Sequence, residues 1–127
     1  MTYVAAVFAL MAVVIHGYLF VLAALRFDAP VARGVFRITS EEQAQAARPW
    51  AYQYGFFHLF LAVVVAAGVV ILLWGSRGVG VTVIVVGAAL MVATAVLHGA
   101  VDRSLRLAAA AQCLAPLLAI YSAVAAR

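Results

Sequence analysis

The chain has 127 residues, of which 69% are apolar and 9% charged, whereas a water-soluble domain is about 45–50% apolar and about 25% charged. A soluble fold of this size has no way to cover such a surface, so lipid must replace water around most of it; the length allows one membrane domain over residues 1–127. All eight basic residues are arginine and the formal net charge is +4, but the arginines are scattered through the connections rather than gathered into one stripe interleaved with aromatics, which argues against a nucleic-acid partner. A single cysteine, Cys113, rules out an internal disulfide and any CxxC metal site.

Four apolar runs follow one another along the chain, at 3–25, 50–74, 79–101 and 107–126. Each reaches the roughly 20 residues needed to cross about 30 Å of hydrocarbon. Backbone groups in lipid must be satisfied internally, and no strict two-residue alternation points to a barrel, so the runs are read as helices. The fold class is therefore all-α: a polytopic membrane protein built as a four-transmembrane-helix bundle. The first run has no basic residue ahead of it and exceeds the 7 to 15 apolar residues of a secretion signal core, so it is expected to be retained.

The first connection carries Arg26, Arg33, Arg37 and Arg48, and the third carries Arg103 and Arg106; the second has only Arg77 and the C-terminus only Arg127. Basic loops stay on the cytoplasmic side. Loops 26–49 and 102–106 are thus expected in the cytoplasm and both termini outside, in a bacterial-type inner membrane. Trp50 and Trp74 bracket the second run as interfacial aromatics do. Within the long first connection, a hydroxyl at Thr39 or Ser40 three residues before Glu42 or Gln43 signals a capping box, and a short cytoplasmic helix is expected before Pro49. Pro49 would then sit in the first turn of the second membrane helix. Glu41 and Glu42 are adjacent and do not share a helix face, so they are no acid–base pair.

Ionisable side chains inside membrane helices are costly and face protein or a cavity, which singles out His16, His58 and His98. His16 lies ten residues before Arg26 and His58 ten after Arg48, so both sit roughly 15 Å from the same boundary. Their helical neighbours are small: Ala5, Ala9, Ala12 and Ala23 for His16, and Gly55, Ala62 and Ala66 for His58. Such faces mark close helix contact in membranes. His98 is shallower and shares a face with Thr94 and Asp102, whose carboxylate could accept its N–H. In the fourth run Pro116 strips the carbonyl of Gln112 of its backbone donor. Tyr18, Gln53, Tyr54 and Gln112 are the candidates for polar packing. Tyr52, Tyr54, Phe56, Phe57 and Phe60 form an aromatic group that suits interfacial anchoring better than a ligand site.

The simplest role for each histidine is an interhelical hydrogen bond, to backbone, Tyr18, Tyr54 or Thr94, each worth about 0.6 kcal/mol in such settings. The sharper alternatives are axial ligation of haem b by His16 and His58, a metal held by them or by His98 with Asp102, or proton or quinone chemistry. No Gly-rich phosphate loop or nucleophile–base pair is present, so an enzyme with its own chemistry is not expected.

Several local patterns together resemble the DUF1304 family of small four-helix membrane proteins: His16 with Tyr18, the Arg-Gly-Val-Phe-Arg-Ile-Thr stretch at 33–39, Gly55 with Phe60-Leu61-Ala62, Gly99-Ala100, and Gln112 followed by a proline. The resemblance implies a four-helix fold and carries no established activity. It also exposes departures. The family pattern has acidic residues where this chain has Ile15 and Ala23, an Asn-Gln-Gly-Leu-Tyr-Asn-Gly run where this chain reads Gln53-Tyr54-Gly55-Phe56-Phe57-His58-Leu59, and tyrosine where it has His98. The expected function is an accessory or assembly subunit of a larger membrane complex, respiratory or otherwise redox-active, with the bilayer and other membrane subunits or a second copy as partners. A haem b or metal-binding electron-transfer module is the alternative, and a small transporter the third.

Overall fold

A computed structural model describes residues 1–126; the terminal arginine used in the sidedness argument, Arg127, lies outside them. Among the described residues every regular element is helical. Helix α1 (Thr2–Phe20) runs into a single π turn (Val21–Leu25), followed by α2 (Pro30–Val35), α3 (Glu41–Trp74), α4 (Arg77–Val101), a 3-10 turn (Arg103–Leu105) and α5 (Arg106–Val124). Four of these stretches are long and apolar enough to span a membrane: 24, 34, 25 and 22 residues, the first including the π turn and the last the 3-10 turn.

The second span departs from expectation at its start. No separate helix runs from the capping residues to Pro49; residues 41–49 are the opening turns of α3 itself, and Pro49 lies inside the helix rather than at its first turn. The cause is the strength of the cap. Ser40 Oγ accepts the N–H of Gln43, and the Gln43 side-chain carbonyl accepts from both the N–H and the hydroxyl of Thr39, a capping box displaced by one residue at its return bond. Proline's missing N–H leaves the Gln45 carbonyl without a helical donor, but Gln45 is exposed beyond the apolar run, where water satisfies it. At 1.5 Å per residue α3 is about 51 Å long, so several turns must project past a hydrocarbon layer of about 30 Å. The short helix that the connection does contain is α2, which opens on Pro30.

The chain clusters into two compact units, Met1–Ile15 with Leu61–Arg127, and His16–Phe60. In the first, stretches of α1, α3, α4 and α5 enclose one core that includes Ala5, Ala9, Ala12, Val65, Ile84, Met91, Ala115 and Ala119. Size is distributed inversely to a soluble protein. Sixteen of the twenty-five buried apolar residues in the described chain are alanine, while Val14, Phe60, Val63, Leu90, Leu97, Leu107 and Leu114 are exposed. Hydrocarbon gives a large apolar side chain no reason to leave the lipid, so small residues that let backbones approach occupy the interior.

Helices α3 and α4 come into close backbone contact. Glycine is required at 80, because a Cβ there would lie 2.4 Å from the backbone nitrogen of Leu72. At α5 the chain turns on Asp102, whose carboxylate accepts the N–H of Ser104.

The second unit holds the long connection against the start of α3. Both Arg48 terminal nitrogens donate to the Asp28 carboxylate, at 2.7 and 2.6 Å, and Arg33 donates to Glu41 at 2.7 Å while lying 3.7 Å from Asp28. The Arg48 hydrogen bonds hold the Asp28 carboxyl below its usual range. Because the folded value is the lower one, this contribution to stability is present above the ordinary carboxylate pKa and is lost as pH falls through the depressed one. A small apolar cluster of Phe27, Ala44 and Ala51 has Phe36 and Ile38 against it, and the Arg48 guanidinium lies 6.0 Å from the centre of the Phe27 ring.

Helix α2 ends in a Schellman motif: the Ile38 N–H donates to the Arg33 carbonyl at 2.9 Å and the Arg37 N–H to Gly34 at 3.4 Å. Arg37 therefore adopts the left-handed conformation, φ 57°, which costs a non-glycine residue roughly 1–2 kcal/mol.

Two substitutions in the first turns of α4 separate packing from propensity. Alanine is normally favoured over glycine in a helix by about 1 kcal/mol, and at Gly78 nothing lies within 4 Å of an added Cβ. Gly78→Ala should therefore be neutral or stabilising, whereas Gly80→Ala should destabilise by about 1–3 kcal/mol through overpacking, as read from thermal unfolding in detergent.

Candidate functional site

Within the second unit, the last turn of α1 before the π turn and the fourth and fifth turns of α3 bring together the two histidines at matched depth. His16 and His58 are both 0% exposed. Their ring centroids are 4.9 Å apart with planes tilted by 46°. Tyr54, one helical turn before His58 on α3, presents its ring to the imidazole edge-on at 4.2 Å, and Phe57 flanks it at 6.1 Å.

The segments that carry the pair are held close by a glycine contact one turn from His58. Gly55 sits against the π turn, where a Cβ would lie 2.8 Å from the Ala24 Cβ and 3.2 Å from the Phe20 carbonyl oxygen. Phe20 packs edge-to-face on Phe56 at 5.2 Å. Gly55 therefore allows the two backbones to meet one turn from His58. The aromatic group singled out in the sequence divides accordingly: Tyr54 and Phe56 turn partly inward to these contacts, while Tyr52, Phe57 and Phe60 are exposed.

A neutral imidazole carries one donor and one acceptor nitrogen, so two rings in contact suit a short polar relay or a clamp on one small group. Among the described residues no group of three or more His, Cys, Asp or Glu is placed to hold a metal ion, whereas structural zinc takes four protein ligands and catalytic zinc three. Two imidazoles bonded to opposite faces of one haem iron, at about 2 Å per metal–nitrogen bond, hold their ring centres roughly 6 Å apart with the macrocycle between them. The observed 4.9 Å is direct contact. Haem binding at these residues requires the two helix segments to separate.

The remaining candidates do not join this pair in the second unit. Tyr18 and Gln53 lie exposed, not packed inside the chain. Gln112, on α5 in the first unit, is buried, and its amide nitrogen has no hydrogen-bond partner within the described chain. Pro116 is buried one turn on and cannot donate to the Gln112 backbone carbonyl. His98 is half-buried near the end of α4, and Asp102 is exposed with one carboxylate oxygen committed to Ser104.

Sequence reasoning missed three features: the π turn, the Asp28–Arg48 pair and the left-handed Arg37. Opposite charges at the two ends of the long connection were the available signal for the ion pair. A run of alanine, valine and leucine carries no mark of a π turn.

Truncating His58 should leave Tyr54 and His16 facing a void. His58→Ala is expected to lower stability in detergent by about 2–4 kcal/mol, and His58→Phe, which retains volume, by clearly less; equal losses would show that the imidazole nitrogens, not the packing, hold the site together.

No characterised protein and no solved structure matched the chain. One family model did, over residues 10–124, a stretch that includes His16, the arginine-bearing connection, His58 and the proline-interrupted fourth span. The chain accordingly belongs to DUF1304, a family described as protein of unknown function.

Proposed function

We propose that this protein is a non-catalytic accessory or assembly subunit of a larger membrane complex, respiratory or otherwise redox-active. Tyr18 carries the reading. It is 52% exposed on α1 and lies eight residues before Arg26, roughly 12 Å from the end of the apolar run. Side chains on a helix tilt toward its N-terminus, so the Tyr18 hydroxyl is directed deeper into the membrane, away from the boundary it would otherwise reach. A hydroxyl left in hydrocarbon without a partner costs several kcal/mol. An acceptor from a neighbouring membrane helix removes that cost. The faces around it, with Val14 and Val21 exposed on the same helix, are apolar enough to pack against such a neighbour.

The arginine bias supports an orientation in a bacterial-type inner membrane with 26–49 and 102–106 in the cytoplasm and the termini outside. A photoreactive phenylalanine analogue at position 18, in full-length protein in native membranes, should form an adduct with a different membrane polypeptide, and the pair should co-purify in mild detergent. A monomer with no adduct, or adducts only with a second copy of this chain, would overturn the assembly role.

The full burial of two imidazoles on facing segments supports one alternative, a haem b or metal-binding electron-transfer module, which would need the His16 and His58 rings to move apart from their 4.9 Å contact. It predicts a Soret band, or stoichiometric metal by elemental analysis, that disappears in His58→Ala; absence of both from protein purified from its native membrane excludes it.

A further inference from the structure

The four arginines of the first connection are not equivalent. Arg33 and Arg48 are consumed within the fold, bound to Glu41 and Asp28. Arg26 and Arg37 are exposed and take part in none of the ion pairs of the second unit. We propose that Arg26 and Arg37 form a binding site for the phosphate headgroup of an anionic phospholipid at the membrane boundary.

Three observations converge on it. The first is placement. Phe36 packs against Phe27, ring centroids 6.0 Å apart, and edge-on against Tyr54 at 6.1 Å. Tyr54 is one turn beyond Trp50, which is 72% exposed at the start of the apolar run of α3. Arg26 adjoins Phe27 and Arg37 adjoins Phe36, so the aromatic contact holds both arginines at the level where an interfacial tryptophan marks the headgroup region.

The second is backbone strain. Arg37 occupies the left-handed position that ends α2, where glycine is the usual residue. A side chain kept at such a position against its own conformational preference points to a role for the side chain. Guanidinium suits that role, because its planar array of donors matches phosphate oxygens in pairs.

The third is the apolar surround. Leu25, beside Arg26, is 60% exposed and Val31 on α2 is 56% exposed, which offers acyl chains apolar surface on the same elements that carry the charges. Each basic side chain near a membrane surface adds about 1 kcal/mol of attraction to anionic lipid, so two give a preference of at most about thirtyfold. The assignment is independent of the assembly role and stands or falls by lipid binding alone.

The test is native mass spectrometry of the full chain in mild detergent, titrated with phosphatidylglycerol or with phosphatidylcholine of the same acyl length. Wild type should bind the anionic lipid about tenfold more tightly. The double variant Arg26→Gln/Arg37→Gly should lose that preference, while Arg77→Gln at the opposite end of the second span should keep it. Arg37→Gly relieves the left-handed strain, so a melting temperature equal to or above wild type assigns the loss to charge and not to unfolding. Equal affinity for the two lipids, a double variant that keeps the preference, or inorganic phosphate displacing the lipid at comparable concentration would each overturn the proposal, the last by showing a bare anion site.

Discussion

Hydrocarbon offers a polypeptide backbone no hydrogen bonds, and it offers an apolar side chain no gain from leaving it. The first condition commits each spanning run to helix. The second removes the force that packs soluble cores, leaving close backbone approach and dispersion to hold the helices together. The alanine-rich interior, the bare glycine at position 80 against the Leu72 backbone, and the outward valines, leucines and aromatics follow from this one change of solvent. Gly55 against Ala24 repeats the device in the second unit, and there it sets the distance between the segments that carry His16 and His58.

Against such a background, polar groups acquire meaning from their scarcity. The imidazoles of His16 and His58 are fully buried and touch, Gln112 is buried beside the carbonyl that Pro116 leaves without a donor, and Tyr18 is directed outward at depth. The charged groups are sorted by the same rule. Those of the connection that meet inside the fold, Asp28 with Arg48 and Glu41 with Arg33, neutralise one another, and the two arginines left over, Arg26 and Arg37, are exposed.

The spans were legible because length and hydropathy are set by bilayer thickness, and the ends of the apolar runs fall within a few residues of the helices. The start of α3 was not, because Ser40 caps a helix that continues through Pro49 once the orphaned carbonyl lies in water. The contact of His16 with His58 could be anticipated from two equal ten-residue distances to flanking arginines on antiparallel runs. The rotation that puts Tyr54 edge-on to His58, and turns Tyr18 and Gln53 outward, depends on how two helices settle around Gly55, which no single-helix periodicity reports. Arg37 was illegible for a related reason: the usual mark of a left-handed helix end is glycine, and the chain places an arginine there.

The central claim is the inverted packing, with small residues inward, large apolar residues toward lipid, and the histidine pair sealed from both lipid and water. Photolabelling of the unmodified chain in its native bilayer with a lipid-soluble carbene precursor, mapped by peptide mass spectrometry, tests it directly. Label should concentrate on outward residues such as Val63, Leu90 and Leu114 and spare Val65, Met91, Ala115, His16 and His58. Comparable labelling of the two sets, or preferential labelling of the histidine pair, would contradict the account.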